Sequence, residues 1–174
     1  MSEFNLDTAI QVLKNTPDVL YDLLQSLPES LTHSNEGEET WSPFDVVGHL
    51  IHGERTDWIP RLNIILFEDD KHFVPFDRFA QFENSKDQTL LHLLFEFKVS
   101  RQNNLEYLTS LNLSAADLDK EGIHPEFGAV TLKQLLSTWV THDLGHIAQI
   151  SRVMAKQYKE DVGPWSQYIS ILNK

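Results

Sequence analysis

The chain has 174 residues, 41% of them hydrophobic, and its 26 acidic against 14 basic residues give a formal net charge of −12. This length suits one domain over 1–174 with a core of its own. The composition excludes disorder, and the acidity excludes a surface for nucleic acid or an anionic membrane, which needs clustered Lys and Arg.

Cysteine is absent and histidine occurs eight times. Disulfides, thiolate metal sites and a cysteine nucleophile are therefore excluded, and any metal has to be held by nitrogen and oxygen. No apolar run approaches the roughly 18 residues of a membrane span. The segment Met1–Ile10 lacks the basic and apolar regions of a signal peptide, so the expected location is the cytoplasm.

The spacing of Leu6, Ile10 and Leu13, then of Leu20, Leu23, Leu24 and Leu27, predicts a first helix over about Asn5–Leu27. Thr16-Pro17 reads as a fresh N-cap and first-turn proline, predicting a break or kink. Pro28–Glu39 is polar and reads as loop. Ser42 as N-cap, Pro43 at the first helical position and Asp45 in the first turn start a second helix. Its stripe of Phe44, Val47, Ile51, Trp58, Leu62 and Ile65 runs to about Phe67, with a kink or shortening expected at Pro60. A connection of roughly 17 residues follows, long for a compact domain. Its Phe73, Phe76, Phe79 and Phe82 suit either a loop pinned to the bundle by aromatics or the lid or wall of a substrate pocket.

Leu90, Leu94, Phe97, Leu105 and Leu108 mark a third helix over about Asp87–Ser110. Thr131 and Gln134 form a capping-box pattern for a fourth. It continues to about Tyr158 through Leu132, Leu135, Leu136, Trp139, Ile147, Ile150, Val153 and Met154. Gly163-Pro164 marks a turn before a short last helix over Trp165–Leu172. No segment reads as a strand. The prediction is an all-α four-helix bundle with a short C-terminal helix.

Polar residues intrude on three apolar faces. Asp143 lies near the middle of the fourth helix's apolar face, Arg101 near the centre of the third's, and Glu54 among Val47, Ile51, Trp58 and Ile65. An isolated buried ion costs several kcal/mol, so pairing of Arg101 with Asp143, Glu54 or both is expected. Such a network fixes helix register, or it lets Asp143 or Glu54 accept a hydrogen bond from a metal-bound imidazole.

His142 and His146, at i and i+4, stack one turn apart and can present two imidazoles to one ion. His49 shares a stripe with Asp45, His52, Gly53 and Thr56, which suits a solvated surface or the wall of a water-filled site. A third imidazole from this facing helix would complete a three-histidine site, with His52 as a competing ligand. His124, in the stretch His124-Pro125-Glu126-Phe127-Gly128, is a loop hydrogen bonder or lines the site. His33, His72 and His92 have no partner pattern. Zinc accepts three histidines plus water in an open catalytic site, and nickel, iron and other divalent ions also accept imidazole.

Three blocks of the chain resemble the DinB-like, or YfiT-like, superfamily of metal-dependent four-helix-bundle proteins. They are Trp41-Ser42-Pro43 with Val47-Gly48-His49-Leu50 and Glu54-Arg55, then Arg101–Leu105 with His124–Gly128, then Leu135–Ile150. The resemblance spans nearly the whole chain in order. It implies a metal triad of one histidine on the second helix and two on the last long helix, carried onto His49, His142 and His146. It assigns no role to Glu54, Arg101, Asp143 or His124, which remain candidates for the triad's surroundings, and it names no catalytic residue.

Relatives of this kind include thiol-dependent S-transferases, a glutathione- or mycothiol-dependent isomerase and proteins described as hydrolases, so fold and triad do not fix the reaction. The expectation is an enzyme dependent on a divalent ion, zinc or nickel, acting on a small-molecule substrate by thiol S-transfer or hydrolysis. In S-transfer the sulfur would come from a low-molecular-weight thiol cosubstrate, because the chain has no cysteine. The alternative is a non-catalytic metal-binding bundle acting through homodimerisation or a partner. A zincin-type peptidase is disfavoured, since that motif needs Glu where Asp143 stands.

Overall fold

Side-chain caps set where the four long helices begin. Asn5 Oδ1 accepts from the Thr8 N–H at 2.8 Å and Thr89 Oγ1 from the His92 N–H at 3.2 Å. Ser42 with Asp45, and Thr131 with Gln134, form reciprocal capping boxes that satisfy two free amides each. The structure is a computed structural model that describes residues 4–173. Met1–Glu3, counted above against a signal peptide, and Lys174 lie outside the described residues.

In chain order the helices are α1 (Leu6–Leu24), α2 (Glu29–Thr32), α3 (Pro43–Thr56), α4 (Trp58–Phe67), α5 (Ala80–Ser85), α6 (Leu90–Ser110), α7 (Ala115–Leu118), α8 (Leu132–Gln157) and α9 (Lys159–Val162). Strands β1 (Glu121–His124) and β2 (Gly128–Thr131) lie between α7 and α8, and 3-10 turns cover Gly163–Tyr168 and Ser170–Asn173. α1 and α3 each pack against both α6 and α8, and α4 continues α3 along α8. The protein is thus a four-helix bundle, as predicted. Among the described residues no helix is long and apolar enough to cross a membrane.

Several local expectations change. α1 runs unbroken through Pro17. A proline cannot donate to the carbonyl four residues back, and that carbonyl, Leu13 O, instead accepts from Arg101 Nη1 at 2.7 Å. The second predicted helix is divided earlier than Pro60, at Asp57 (φ −113°, ψ −68°). α4 restarts at Trp58, so Pro60 falls in a first turn, where no amide is needed for the ladder. The polar stretch after Pro28 contains the single turn α2, and the aromatic connection contains α5. The expected last helix is instead two 3-10 turns separated at Ile169.

The strand reading also needs correction. β1 and β2 form an antiparallel hairpin in register from Glu121↔Thr131 to His124↔Gly128, with Gly128 at φ 73° in the turn. The Lys71–Phe73 segment joins β1 through Phe73 N–H to Ile123 O (2.9 Å) and Ile123 N–H to Lys71 O (2.7 Å). Gly122 lets this crossing close, because a Cβ there would enter the Phe73 ring and stand 2.9 Å from Ile65 Cγ1.

The core is two apolar blocks. One holds Leu13, Trp58, Leu62, Leu105, Leu136 and Trp139; the other holds Leu20, Leu50, Ile51, Leu94, Phe97 and Ile150. Along α3, α6 and α8 the residues between the blocks are Glu54, Arg101 and Asp143, all buried. Arg101 Nη1 and Nη2 donate to Asp143 Oδ2 (2.6 Å) and Oδ1 (3.0 Å), and Nη2 also to Glu54 Oε1 (2.8 Å). Glu54 further accepts from Trp139 Nε1 (3.1 Å) and Asn104 Nδ2 (3.0 Å). The guanidinium lies between the Phe97 and Trp139 rings, 4.9 and 5.1 Å from their centroids. The predicted ionic network therefore forms with both acids. It ties three helices to one another and to α1 at a single level.

Candidate metal centre

α3 and α8 face each other beside this polar layer. The i, i+4 spacing puts His142 and His146 on one side of α8, and His49 projects toward them from α3. His142 Nε2 stands 3.1 Å from His49 Nε2 and 3.1 Å from His146 Nε2. One nitrogen from each ring lies within 4.8 Å of the others. His52 is outside this cluster. It is buried, its Nε2 lies 3.5 Å from Thr56 Oγ1, and its ring packs on Phe76.

Two glutamines fix the proton positions. His49 Nδ1–H donates to Gln81 Oε1 at 3.0 Å, and His146 Nδ1–H donates to Gln149 Oε1 at 2.8 Å. Each ring then presents a bare Nε2 lone pair toward His142. His142 Nε2 carries at most one proton and can satisfy only one of these neighbours. With its proton on Nδ1 instead, that atom is buried without a partner, and three lone pairs converge. A cation shared by the three rings would take up the converging Nε2 lone pairs, with the His142 proton on Nδ1.

The rings are held neutral, the form that binds a metal. Burial, and then the charge of His146, pushes the His49 pKa down to about 4. Burial also lowers His142, aided by His146 and His49, and lowers His146. The donor set and its electrostatics fit a divalent ion.

Residues expected around the triad divide into two groups. The hydrogen bonds of Asp143 and Glu54 end on Arg101, Trp139 and Asn104, and the Nδ1 partners of His49 and His146 are Gln81 and Gln149. Among the described residues no hydrogen bond joins the ionic layer to the cluster. Trp58 stacks on Trp139 (5.6 Å) and meets the His142 ring edge-on (5.1 Å), and the charges of Arg101 and Asp143 act through space on His142 and His146, respectively. Burial raises the Glu54 pKa, and Arg101 opposes the rise. His124 ends β1, where its Nδ1 accepts from the Glu126 N–H at 3.1 Å, and it lines the cavity as well.

A cavity of about 530 Å³ opens onto the three histidines. Its aromatic wall includes Trp41, Trp58, Phe73, Phe76 and Phe127, and its polar lining includes Asp57, Arg61, Arg78, His124 and Glu126. Trp41 packs on His49 at 4.8 Å and lies nearly parallel to His146 at 6.4 Å. The aromatic connection packs on the bundle and also lines the cavity. Phe73 is buried and pins the loop, while Phe76 meets the His49 ring edge-on at 5.6 Å and walls the site. Phe79 and Phe82 are exposed.

Sequence reasoning missed Gln81, Gln149, Arg61 and Arg78. Gln149 lies three residues after His146, a spacing that could have revealed it. Gln81 is 32 residues from His49, and no local pattern marks it.

The DinB superfamily sequence profile matches residues 13–150. A protein of Bacillus cereus strain 03BB102 named "Putative metal-dependent hydrolase" is 26% identical over 156 residues, covering 87% of this chain and 86% of its own. A protein of Bacillus thuringiensis subsp. konkukian with the same description matches to the same extent. Among solved structures, YfiT from Bacillus subtilis superposes with a TM-score of 0.76 at 20% identity, covering 91% of this chain and 92% of that one. It is described as a probable metal-dependent hydrolase with an unusual four-helix bundle topology. The four-helix bundle protein TT2238 superposes with a TM-score of 0.53 at 16% identity, covering 84% of this chain and 98% of its own. With four long helices in this arrangement and a profile match across most of its length, the chain belongs to the DinB superfamily.

Proposed function

We propose that this protein is an enzyme that uses a divalent ion, zinc or nickel, held by His49, His142 and His146, to act on a small molecule in the adjoining cavity. The observation that carries this reading is the convergence of three neutral imidazoles on the wall of a cavity of about 530 Å³. Three imidazoles suit both metals. When bound, such an ion supplies Lewis acidity and lowers the pKa of a coordinated water or thiol.

The chain's own groups supply the rest. Gln81 and Gln149 orient two imidazoles, Trp41 and Phe76 hold the rings from the sides, and the aromatic walls exclude water from an apolar substrate. His124 Nδ1 accepts backbone N–H groups from Glu126 and Phe127. In the neutral ring the proton therefore sits on Nε2, a donor at the cavity wall.

Hydrolysis is the reaction we favour, on the names of the relatives in Bacillus. S-transfer from a low-molecular-weight thiol is the second reading, and it fits a chain with no cysteine of its own. A cavity reaching the triad speaks against a purely structural, closed metal site. The test is a panel of esters, amides and lactones beside thiol-plus-electrophile pairs, run with metal-loaded and metal-stripped protein. Turnover that needs the metal and is lost in His146→Ala supports the reading, and its product assigns the reaction. Equal turnover by the variant contradicts it.

A further inference from the structure

Among the described residues, the acidic chain places arginine, and no lysine, on the wall of the triad cavity. Arg61 and Arg78 line it. Arg61 is nearly buried, with its side chain 11% exposed, and its Nε lies 2.6 Å from Asp57 Oδ1. Its guanidinium sits 5.2 Å from the centre of the Phe73 ring. The Asp57 contact is an ion pair without hydrogen-bond geometry, since Asp57 Oδ1 has no hydrogen-bond partner among the described residues, and the Phe73 ring packs against the fork. Nη1 and Nη2 have no hydrogen-bond partner among the described residues.

Arg78 has no acidic partner among the described residues. The other arginines do: Arg55 pairs with Glu96, Arg101 with Glu54 and Asp143, and Arg152 with Glu36. Arg78 stands on the loop that carries Phe76, close enough for its charge to disfavour protonation of His49. Asp57 and Glu126 also line the cavity. Asp57 is committed to Arg61, and Glu126 is exposed on the hairpin turn.

We propose that the cavity takes a small organic carboxylate with an apolar or aromatic body. The carboxylate is received by the free fork of Arg61 and by Arg78, and the body lies against Phe73, Phe76 and Trp58. A planar fork with two free N–H groups matches a carboxylate in bidentate geometry, and a preorganised fork loses little entropy on binding. The inference rests on the proposed function only in placing the carboxylate's reacting end beside the triad.

The experiment measures binding of phenylacetate and its neutral isostere phenylacetamide to the full chain, by calorimetry and by tryptophan fluorescence, in zinc-loaded and chelator-stripped protein. Phenylacetate should bind about tenfold or more tighter than the amide in both forms, as charge-assisted hydrogen bonds are roughly twice as strong as neutral ones. Arg78→Gln, an exposed change that spares the fold, should reduce that preference several-fold. Arg61→Lys should reduce it too, because a point charge replaces a fork. Absence of a preference, including absence of binding, overturns the proposal. So does a preference that appears only with zinc and survives both variants, since the carboxylate would then be ligating the metal. Failure of the triad reading shows separately, as failure to retain zinc, and leaves the comparison in stripped protein decisive.

Discussion

Arg101 Nη1 donates to Leu13 O at 2.7 Å, the carbonyl that Pro17 leaves without a donor inside α1. One buried guanidinium thus compensates a helix defect on α1 while holding Asp143 on α8 and Glu54 on α3. Arg101→Met strips donors from two buried carboxylates and a buried carbonyl. It should destabilise the protein by about 3–5 kcal/mol, the cost of breaking a buried ion pair from one side. In a Pro17→Ala background Leu13 O regains an amide donor, so the same change should cost about 1 kcal/mol less. Urea unfolding of the four proteins in this cycle measures the coupling. Strict additivity would remove Leu13 from the network.

Gln81 reaches the candidate metal centre through its hydrogen bond with His49. Gln81→Leu keeps the volume but removes the acceptor of the Nδ1 proton, so the ring is no longer fixed in orientation or tautomer. Metal affinity should fall about 10–100-fold with little change in helix content, the usual effect of losing such an orienting partner. Competition against a chromophoric chelator reads the affinity, and an unchanged value would make Gln81 a bystander.

Gly122→Ala should destabilise by about 1–3 kcal/mol, as overpacking does, because the added methyl enters the Phe73 ring and meets Ile65 Cγ1 at 2.9 Å. Phe73→Leu in the same chain should recover part of that loss. Thermal unfolding of the single and double variants tests the pairing. No recovery would mean that the strain lies elsewhere in the hairpin.

Acid should weaken the metal-free fold through the histidines. His49 stays neutral in the folded protein down to about pH 4, whereas the unfolded chain takes up a proton near 6.5. The unfolded state binds more protons between these values, so stability is complete above about pH 6.5 and falls as pH drops toward 4. His49 alone should contribute a loss of about 2 kcal/mol between pH 7.5 and pH 5. His142 and His146 act in the same direction. Unfolding of metal-free wild type and His49→Gln at both values isolates the effect. The variant should show the shallower dependence, and equal slopes would contradict burial of a neutral ring.

What was legible in the sequence is what local rules dictate. The caps at Ser42 and Thr131 were readable, because a cap and its box lie within three residues. So was the ionic layer, since charged residues on apolar faces must find one another. His142 and His146 declared themselves by spacing; His49 was assigned through family resemblance. The β hairpin was hidden, because each strand has four residues and the pair is held by β1 bonding to Lys71–Phe73 and by packing of Gly122 under the Phe73 ring. The fate of Pro17 was hidden too, as its compensation comes from a residue 88 positions from Leu13. Gln81, Arg61 and Arg78 carry no pattern of their own and become site residues only when α5, α4 and the aromatic loop close over α3.

The most direct test of the central claim is the metal content of protein purified without an affinity tag and equilibrated with zinc. Wild type should retain about one ion per chain after gel filtration, as should His52→Ala. His49→Ala, His142→Ala and His146→Ala should each retain almost none while keeping helical content. Full retention by His49→Ala with loss in His52→Ala, or no retention by wild type, would contradict a centre built from His49, His142 and His146.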